Sequence, residues 1–165
     1  ICITMKAPMA SILALAASAI DIPSLFTQND SFLAQTSKQN DVAVCPGEGD
    51  RYGDYKCNHD QTHRVCAQLI DTQTSQPLSW GSRDFWEITG QKQVQWDDKI
   101  RGEPNPGDSW CICMWATAKL IEKVGCENVH LRCDATDVSY VLSKYDDNGR
   151  NLKAAHDCLQ QKCQA

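Results

Sequence analysis

No block of basic residues, no phosphate-cradling glycine loop and no C-x-x-C pair occurs in this sequence, and each absence removes a class of function. The 16 Lys and Arg residues are scattered among 21 Asp and Glu, giving a net charge of −5. A nucleic-acid partner is not expected, because there is no basic stripe to follow a phosphate backbone. Without G-x-x-x-x-G-K-[ST], G-x-G-x-x-G or G-x-S-x-G, nucleotide loops and the serine-hydrolase elbow have no sequence basis. Without C-x-x-C, dithiol redox catalysis loses its motif. The stretch Lys144–Gly149 only imitates a calcium loop: with Gly149 at the invariant glycine, Lys144 takes the first ligand position and Ala155 the twelfth, where acids are required. Repeats and low-complexity tracts are also missing. So is an uninterrupted apolar run of about 20 residues, the length a membrane span takes.

What the chain has in excess is cysteine, ten in 165 residues and 18.4 kDa, a length that suits one domain plus a tail. Spread along the chain rather than gathered into knuckles, they point to disulfides and an oxidising compartment. Cys45, Cys57, Cys66, Cys111, Cys113, Cys126, Cys133, Cys158 and Cys163 form the expected disulfide set. That odd number leaves either a free thiol or a bond back to Cys2, and sequence cannot choose the pairing.

The stretch Pro106–Cys113, PGDSWCIC, organises the rest. A Pro-Gly-Asp turn leads into a strand-like run in which Trp110 and Ile112 alternate with Cys111 and Cys113. Cysteines at i and i+2 of a strand diverge, so these two should reach different partners.

Along the chain, residues 1–26 form an apolar, signal-like or anchor segment. Between Lys6 and Asp21 lie fourteen uncharged residues ending in Ala17-Ser18-Ala19, the shape of a signal or lumen-transfer peptide. Including Ile1–Met5 gives a near-spanning run with Lys6 inside it, which would have to snorkel. The segment is expected to be a helix that anchors or docks, through residues such as Ile12, Leu13 and Leu15. Residues 27–44 read as a polar linker, and 45–165 as the cysteine-rich domain. Cys45–His63 is a long loop that needs its cysteines as restraints. Val65–Ile70 reads as a buried strand, Gln93–Trp96 as a short strand, and Asp97–Pro106 as a charged loop. Met114–Val124 is a helix closed by Gly125, Val129–Cys133 alternates like a strand, and Thr136 or Asp137 can cap a short helix. The last helix runs from about Asn151 to Gln161. Cys158 and Cys163, five residues apart, stand roughly 140° apart around it and should serve different partners. The fold expected is α+β: a small single disulfide-rich domain with short strands and two or three helices, plus the N-terminal apolar helix.

Two constellations offer chemistry. Cys57, His59, His63 and Cys66 hold zinc-type ligands, which Cys111 and Cys113 could join, but the spacing fits no standard knuckle. A thiol enzyme would use Cys66 or Cys113 as nucleophile with His63 or His156 as base. Disulfide-bonded cysteines beside ordinary histidines are the simpler expectation, with no metal and no cofactor. Of five tryptophans, Trp110 and Trp115 are expected in the core. Trp80, Trp86 and Trp96, in turn-rich surroundings, are the candidates for a partner interface.

H-x-V-C-A at His63–Ala67, P-G-D-x-W-C-x-C at Pro106–Cys113, and Val129, Leu131, Ala135 and Thr136 together resemble a family of small, mostly bacterial proteins described only as a domain of unknown function. Cys57-Asn58 looks like the second half of that family's C-C-N element, and the likeness covers most of residues 45–142. Lys56 stands where the family has the first cysteine of its pair, Trp115 is shifted relative to the family's downstream Trp, and Cys126, Cys133, Cys158 and Cys163 look like additions. The resemblance implies a shared fold and cysteine core and carries no activity.

The function expected is a non-enzymatic accessory subunit docked through residues 1–26, with lipid contact, on a membrane protein complex on the lumenal or extracytoplasmic side. A photosystem facing the thylakoid lumen is favoured over a secretory setting. The alternatives are a zinc- or thiol-dependent enzyme using the Cys57/His59/His63/Cys66/Cys111/Cys113 cluster, and a secreted cysteine-rich binding module.

Overall fold

The computed structural model describes residues 41–163; the expected apolar helix, with Ile12, Leu13 and Leu15, lies outside them. In chain order the elements are β1 (His63–Gln68), β2 (Ser79–Trp80), β3 (Arg83–Asp84), α1 (Phe85–Thr89), α2 (Asp97–Arg101), β4 (Ser109–Cys113), α3 (Met114–Val124), α4 (Val138–Leu142), β5 (Asp146–Asp147), β6 (Arg150–Asn151) and α5 (Lys153–Cys163). The domain is α+β and disulfide-rich. Where two or three helices were expected it has five among the described residues, because three of them are only five residues long, too short to show a long apolar period.

The antiparallel pair β1–β4 is the middle of the molecule, in register Val65↔Ile112, Cys66↔Cys111 and Ala67↔Trp110, with a bulge at Arg64. Since side chains alternate across a strand, this register sorts the ribbon into two faces. Val65, Ala67, Trp110 and Ile112 join the large apolar core with Leu120, Ile121, Leu152 and Leu159 of the helical layer. Cys66 and Cys111 go instead to a small second core with Cys45, Cys57 and Ala135, all at most 1% exposed. The ribbon is thus a wall between a helical core and a core of cystine.

Four disulfides close the described domain: Cys45–Cys66, Cys57–Cys111, Cys126–Cys158 and Cys133–Cys163. Cys113 is disulfide-bonded as well, so Cys111 and Cys113 do serve different partners. Cys158 and Cys163 likewise tie the middle and the C-terminal end of α5 to different segments. Among the described residues no cysteine is free.

The two Pro-Gly segments, Cys45-Pro46-Gly47 and Pro106-Gly107-Asp108, interlock. Asp108 and Ser109 N–H both donate to the Pro46 carbonyl, at 3.2 and 2.8 Å. A methyl group on Gly107 would overlap the Pro46 carbonyl, and one on Gly47 (φ +110°) would overlap the Ser109 carbonyl oxygen. Beyond this junction Arg132 grips both oxygens of Asp108 at 2.6 and 2.7 Å. The Ser109 hydroxyl donates to Asp108 Oδ1 at 2.6 Å.

Two expected strands do not form. Gln93–Trp96 has no strand partner; Val94 N–H bonds to the Gln91 carbonyl (2.8 Å) and the segment turns into α2, inside the stretch read as a loop. In Val129–Cys133 only Leu131 makes a bridge, to Ala67, before Cys133–Ala135 winds into a 3-10 turn. No helix among the described residues is long and apolar enough to cross a membrane.

Candidate functional site

A pocket of about 300 Å³ opens where β4 faces α1, α2 and the 49–51 loop. Its walls are aromatic. Trp96, which precedes α2, lies parallel to Trp110 of β4, with centroids 6.0 Å apart and planes 9° apart. Phe85 and Trp86 of α1 pack edge to face at 5.0 Å. The capping box of α1, in which Asp84 accepts from Glu87 N–H and Glu87 reaches back to Asp84 N–H, fixes where that pair points. Trp86 is 2% exposed, and its indole N–H donates to Asp97 Oδ1 at 3.1 Å. It therefore belongs to the floor of the pocket and not to an open surface, as the sequence had suggested. Trp80 does not line the pocket; its indole N–H donates to the Asn128 carbonyl at 2.9 Å and its ring packs on the core. Of the three proposed interface tryptophans, Trp96 is the one half-exposed at the pocket.

The rim carries the polar groups. Lys99 Nζ sits 4.4 Å from the Trp96 ring centroid, one turn along from it. The Arg51 guanidinium lies 5.2 Å from the Trp110 centroid and 5.1 Å from that of Tyr52. Arg51 Nε donates to Glu48 Oε1 at 2.8 Å, and Glu48 Oε2 accepts from Cys111 N–H at 2.8 Å. Glu48 is fully buried, and burial pushes its carboxyl above the usual range although the Arg51 charge pulls the other way. With Arg51 committed to Glu48, Lys99 and Asp50 are left as the rim's opposed charges. Gln91, also on the wall, has a buried side-chain amide nitrogen with no partner among the described residues.

His63 lines the same pocket, held by a short network. Its Nδ1 lies 2.5 Å from Asp60 Oδ2, and the Tyr52 hydroxyl donates to that same oxygen. Burial alone would raise the Asp60 pKa, but hydrogen bonds from His63, Tyr52 and the backbone N–H groups of His63 and Thr62 outweigh it and hold the carboxylate well below the usual range. Tyr52 is pushed up, first by burial and then by its bond to Asp60. A D-x-x-H spacing could have marked this pair, but Asp60 was not singled out in the sequence.

The candidate ligand set Cys57, His59, His63 and Cys66 does not converge. Cys57 and Cys66 are in different disulfides, the His59 ring bonds Asp54 at 2.7 Å and stacks on Tyr52, and His63 faces Asp60. His156, the other candidate base, bonds the Val141 carbonyl at 2.9 Å. The register sets Cys113 opposite His63, but every cysteine near the histidines, Cys66, Cys111 and Cys113, is disulfide-bonded.

No protein-family model, curated protein or solved structure matches the chain.

Proposed function

We propose that the domain is a non-enzymatic accessory module of an oxidising compartment that docks on a partner protein through the tryptophan pocket. The observation that carries this reading is the concentration of Phe85, Trp86, Trp96, Trp110 and Arg51 around one opening. Large aromatics and arginine in a desolvated hollow are what energetic anchors of protein interfaces are made of. The occupant is an apolar or aromatic side chain of the partner. A volume near 300 Å³ admits one, and with Arg51 neutralised by Glu48 the hollow itself offers no net charge to an ionic ligand. Gln91 supplies a buried amide donor at the wall for the partner's backbone carbonyl. The disulfides suit the compartment. The finer setting, a membrane protein complex on the lumenal or extracytoplasmic side, with a photosystem in the thylakoid lumen as its instance, is supported by the signal-like pattern of residues 1–26.

The test is retention. Full-length chain and a Trp96→Ala variant are added to source membranes stripped of the endogenous protein. Loss of retention by tenfold or more in the variant, with its stability unchanged, is expected; equal retention contradicts the pocket as the docking site.

One observation favours a second reading, a thiol enzyme. Asp60 orients His63, and the register sets Cys113 opposite it. Its thiolate would have to be released by reduction first. Iodoacetamide labelling of Cys113 after mild reduction then decides: reaction well below the ordinary thiol pKa of about 8.5 supports the enzyme, and an ordinary profile contradicts it.

A further inference from the structure

Beyond docking, the cystine core has a second use, and it involves Cys45, which lay outside the metal cluster read from sequence. The sulfurs of Cys45, Cys57 and Cys66 all lie within 4.8 Å of one another. Cys111 Sγ is bonded to Cys57 Sγ and therefore lies beside the same point. All four residues are 0% exposed, in a buried cluster that among the described residues has Ala135 as its fifth member. Once the two disulfides are reduced, three thiols stand close together and the fourth, that of Cys111, is released beside Cys57. A zinc–thiolate bond of about 2.3 Å gives a tetrahedron whose sulfurs are about 3.8 Å apart, so on reduction each bonded pair must part by about 2 Å while Cys57 closes on Cys45 and Cys66 by at most about an ångström. Four soft sulfur donors favour a zinc-class ion over harder cations.

We propose that the reduced chain binds one zinc ion through Cys45, Cys57, Cys66 and Cys111, and that oxidation releases it as the two disulfides form. Each disulfide takes two electrons and two protons to give two thiols, both from a dithiol that becomes a disulfide, or the electrons from a phosphine and the protons from water with phosphine oxide as the product; the four thiols lose four protons on binding Zn²⁺. In the other direction, the tetrathiolate complex of charge −2 reacts with two equivalents of a small-molecule disulfide. It yields two protein disulfides, Zn²⁺ and four small thiolates, so atoms and charge balance. Cys111 is also among the residues that line the tryptophan pocket. Arg51 Nη2, 3.2 Å from the Cys111 carbonyl, places a positive charge beside the complex. The same backbone would then be stapled by metal before export and by cystine after it.

The test uses the full chain, reduced by a phosphine without oxygen, freed of metal and given one equivalent of Zn²⁺ or Co²⁺. Native mass spectrometry is expected to show one ion per chain. Cobalt is expected to show thiolate charge-transfer absorption and the strong visible bands of tetrahedral coordination. Zinc should protect Cys45, Cys57, Cys66 and Cys111 from iodoacetamide at least tenfold, while Cys126, Cys133, Cys158 and Cys163 label freely. Oxidised glutathione should then release the ion as Cys45–Cys66 and Cys57–Cys111 return. A Cys57→Ser variant is expected to bind at least a hundredfold more weakly. Because that variant can misfold, the labelling of the unaltered chain decides: no retained ion, or protection that falls on other cysteines, overturns the proposal.

Discussion

At the scale of single residues, two carboxylates a few ångströms from the same arginine–tyrosine cluster respond to pH in opposite directions. Asp60 has a lowered pKa in the fold, so its contribution is present above the ordinary carboxylate range and is lost as pH falls through and below it. Glu48 has a raised one, so its contribution is present at low pH and is lost as pH rises through the folded value. An Asp60→Asn variant should therefore lose about 1–2 kcal/mol at neutral pH, the worth of its hydrogen bonds discounted for its partial exposure, and show a flatter acid limb in urea titrations from pH 6 to 3. An acid limb as steep as that of the parent would contradict this assignment. Gly107 is a sharper case. Its Cβ position is filled by the Pro46 carbonyl, so Gly107→Ala must separate the two Pro-Gly segments and pull β4 from the 45–48 turn. A loss of about 3 kcal/mol or more is expected in chemical denaturation. The P-G-D motif was legible in the sequence as a turn. Its interlock with Cys45-Pro46-Gly47, sixty residues away, was not, because nothing local marks a glycine whose neighbour comes from elsewhere.

At the scale of elements, periodicity told most where an element is long. The Ala- and Leu-rich run of α3 and its Gly125 stop could be read directly, as could the α5 face of Leu152, Ala155 and Leu159. It told least in residues 85–101, where α1 and α2 are five residues each and are made by Asp84, Gly90 and Gly102 rather than by a repeating apolar face. Alternation in Gln93–Trp96 imitates a strand, but a strand needs an edge to pair with and the segment pairs with none among the described residues. This is why the pocket was only partly visible: Trp96 could be named, whereas Trp86 was misplaced and Arg51, Gln91 and Lys99 were missed. The short helix α4 depends on a bond that sequence also hid. Asp137, 4% exposed, caps it through Tyr140 N–H and pairs at 2.8 Å with Arg64, whose guanidinium lies 3.8 Å from the Tyr140 ring centroid. Asp137→Ala leaves the buried Arg64 charge without its carboxylate and removes the cap, for an expected loss of about 3–5 kcal/mol. Asp137→Asn, which keeps the cap, should lose less. Equal stability of the two variants would show that the ion pair, and not the cap, carries the effect.

At the scale of the whole molecule, four disulfides brace a domain whose strands are mostly two residues long and could not stand alone. Of these four, Cys57–Cys111 with a separation of 54 restrains the unfolded chain most, by about 4 kcal/mol in the chain-entropy picture. That bracing holds β4 between the cystine core and the helices, and so fixes Trp110 as one wall of the pocket while α1 and α2 carry the others. The cysteine count alone made an oxidising compartment legible; the pairing had to come from the fold, because it depends on which residues β1 and β4 set opposite each other. The central claim is that this pocket meets a partner protein, and a photo-cross-linker tests it most directly. With p-benzoylphenylalanine in place of Lys99 at the rim, irradiation in source membranes should join the chain to one dominant protein, and the same probe in place of Lys153 on exposed α5 should not. Equal capture at both positions, or none at position 99 while the chain stays membrane-bound, would contradict the account.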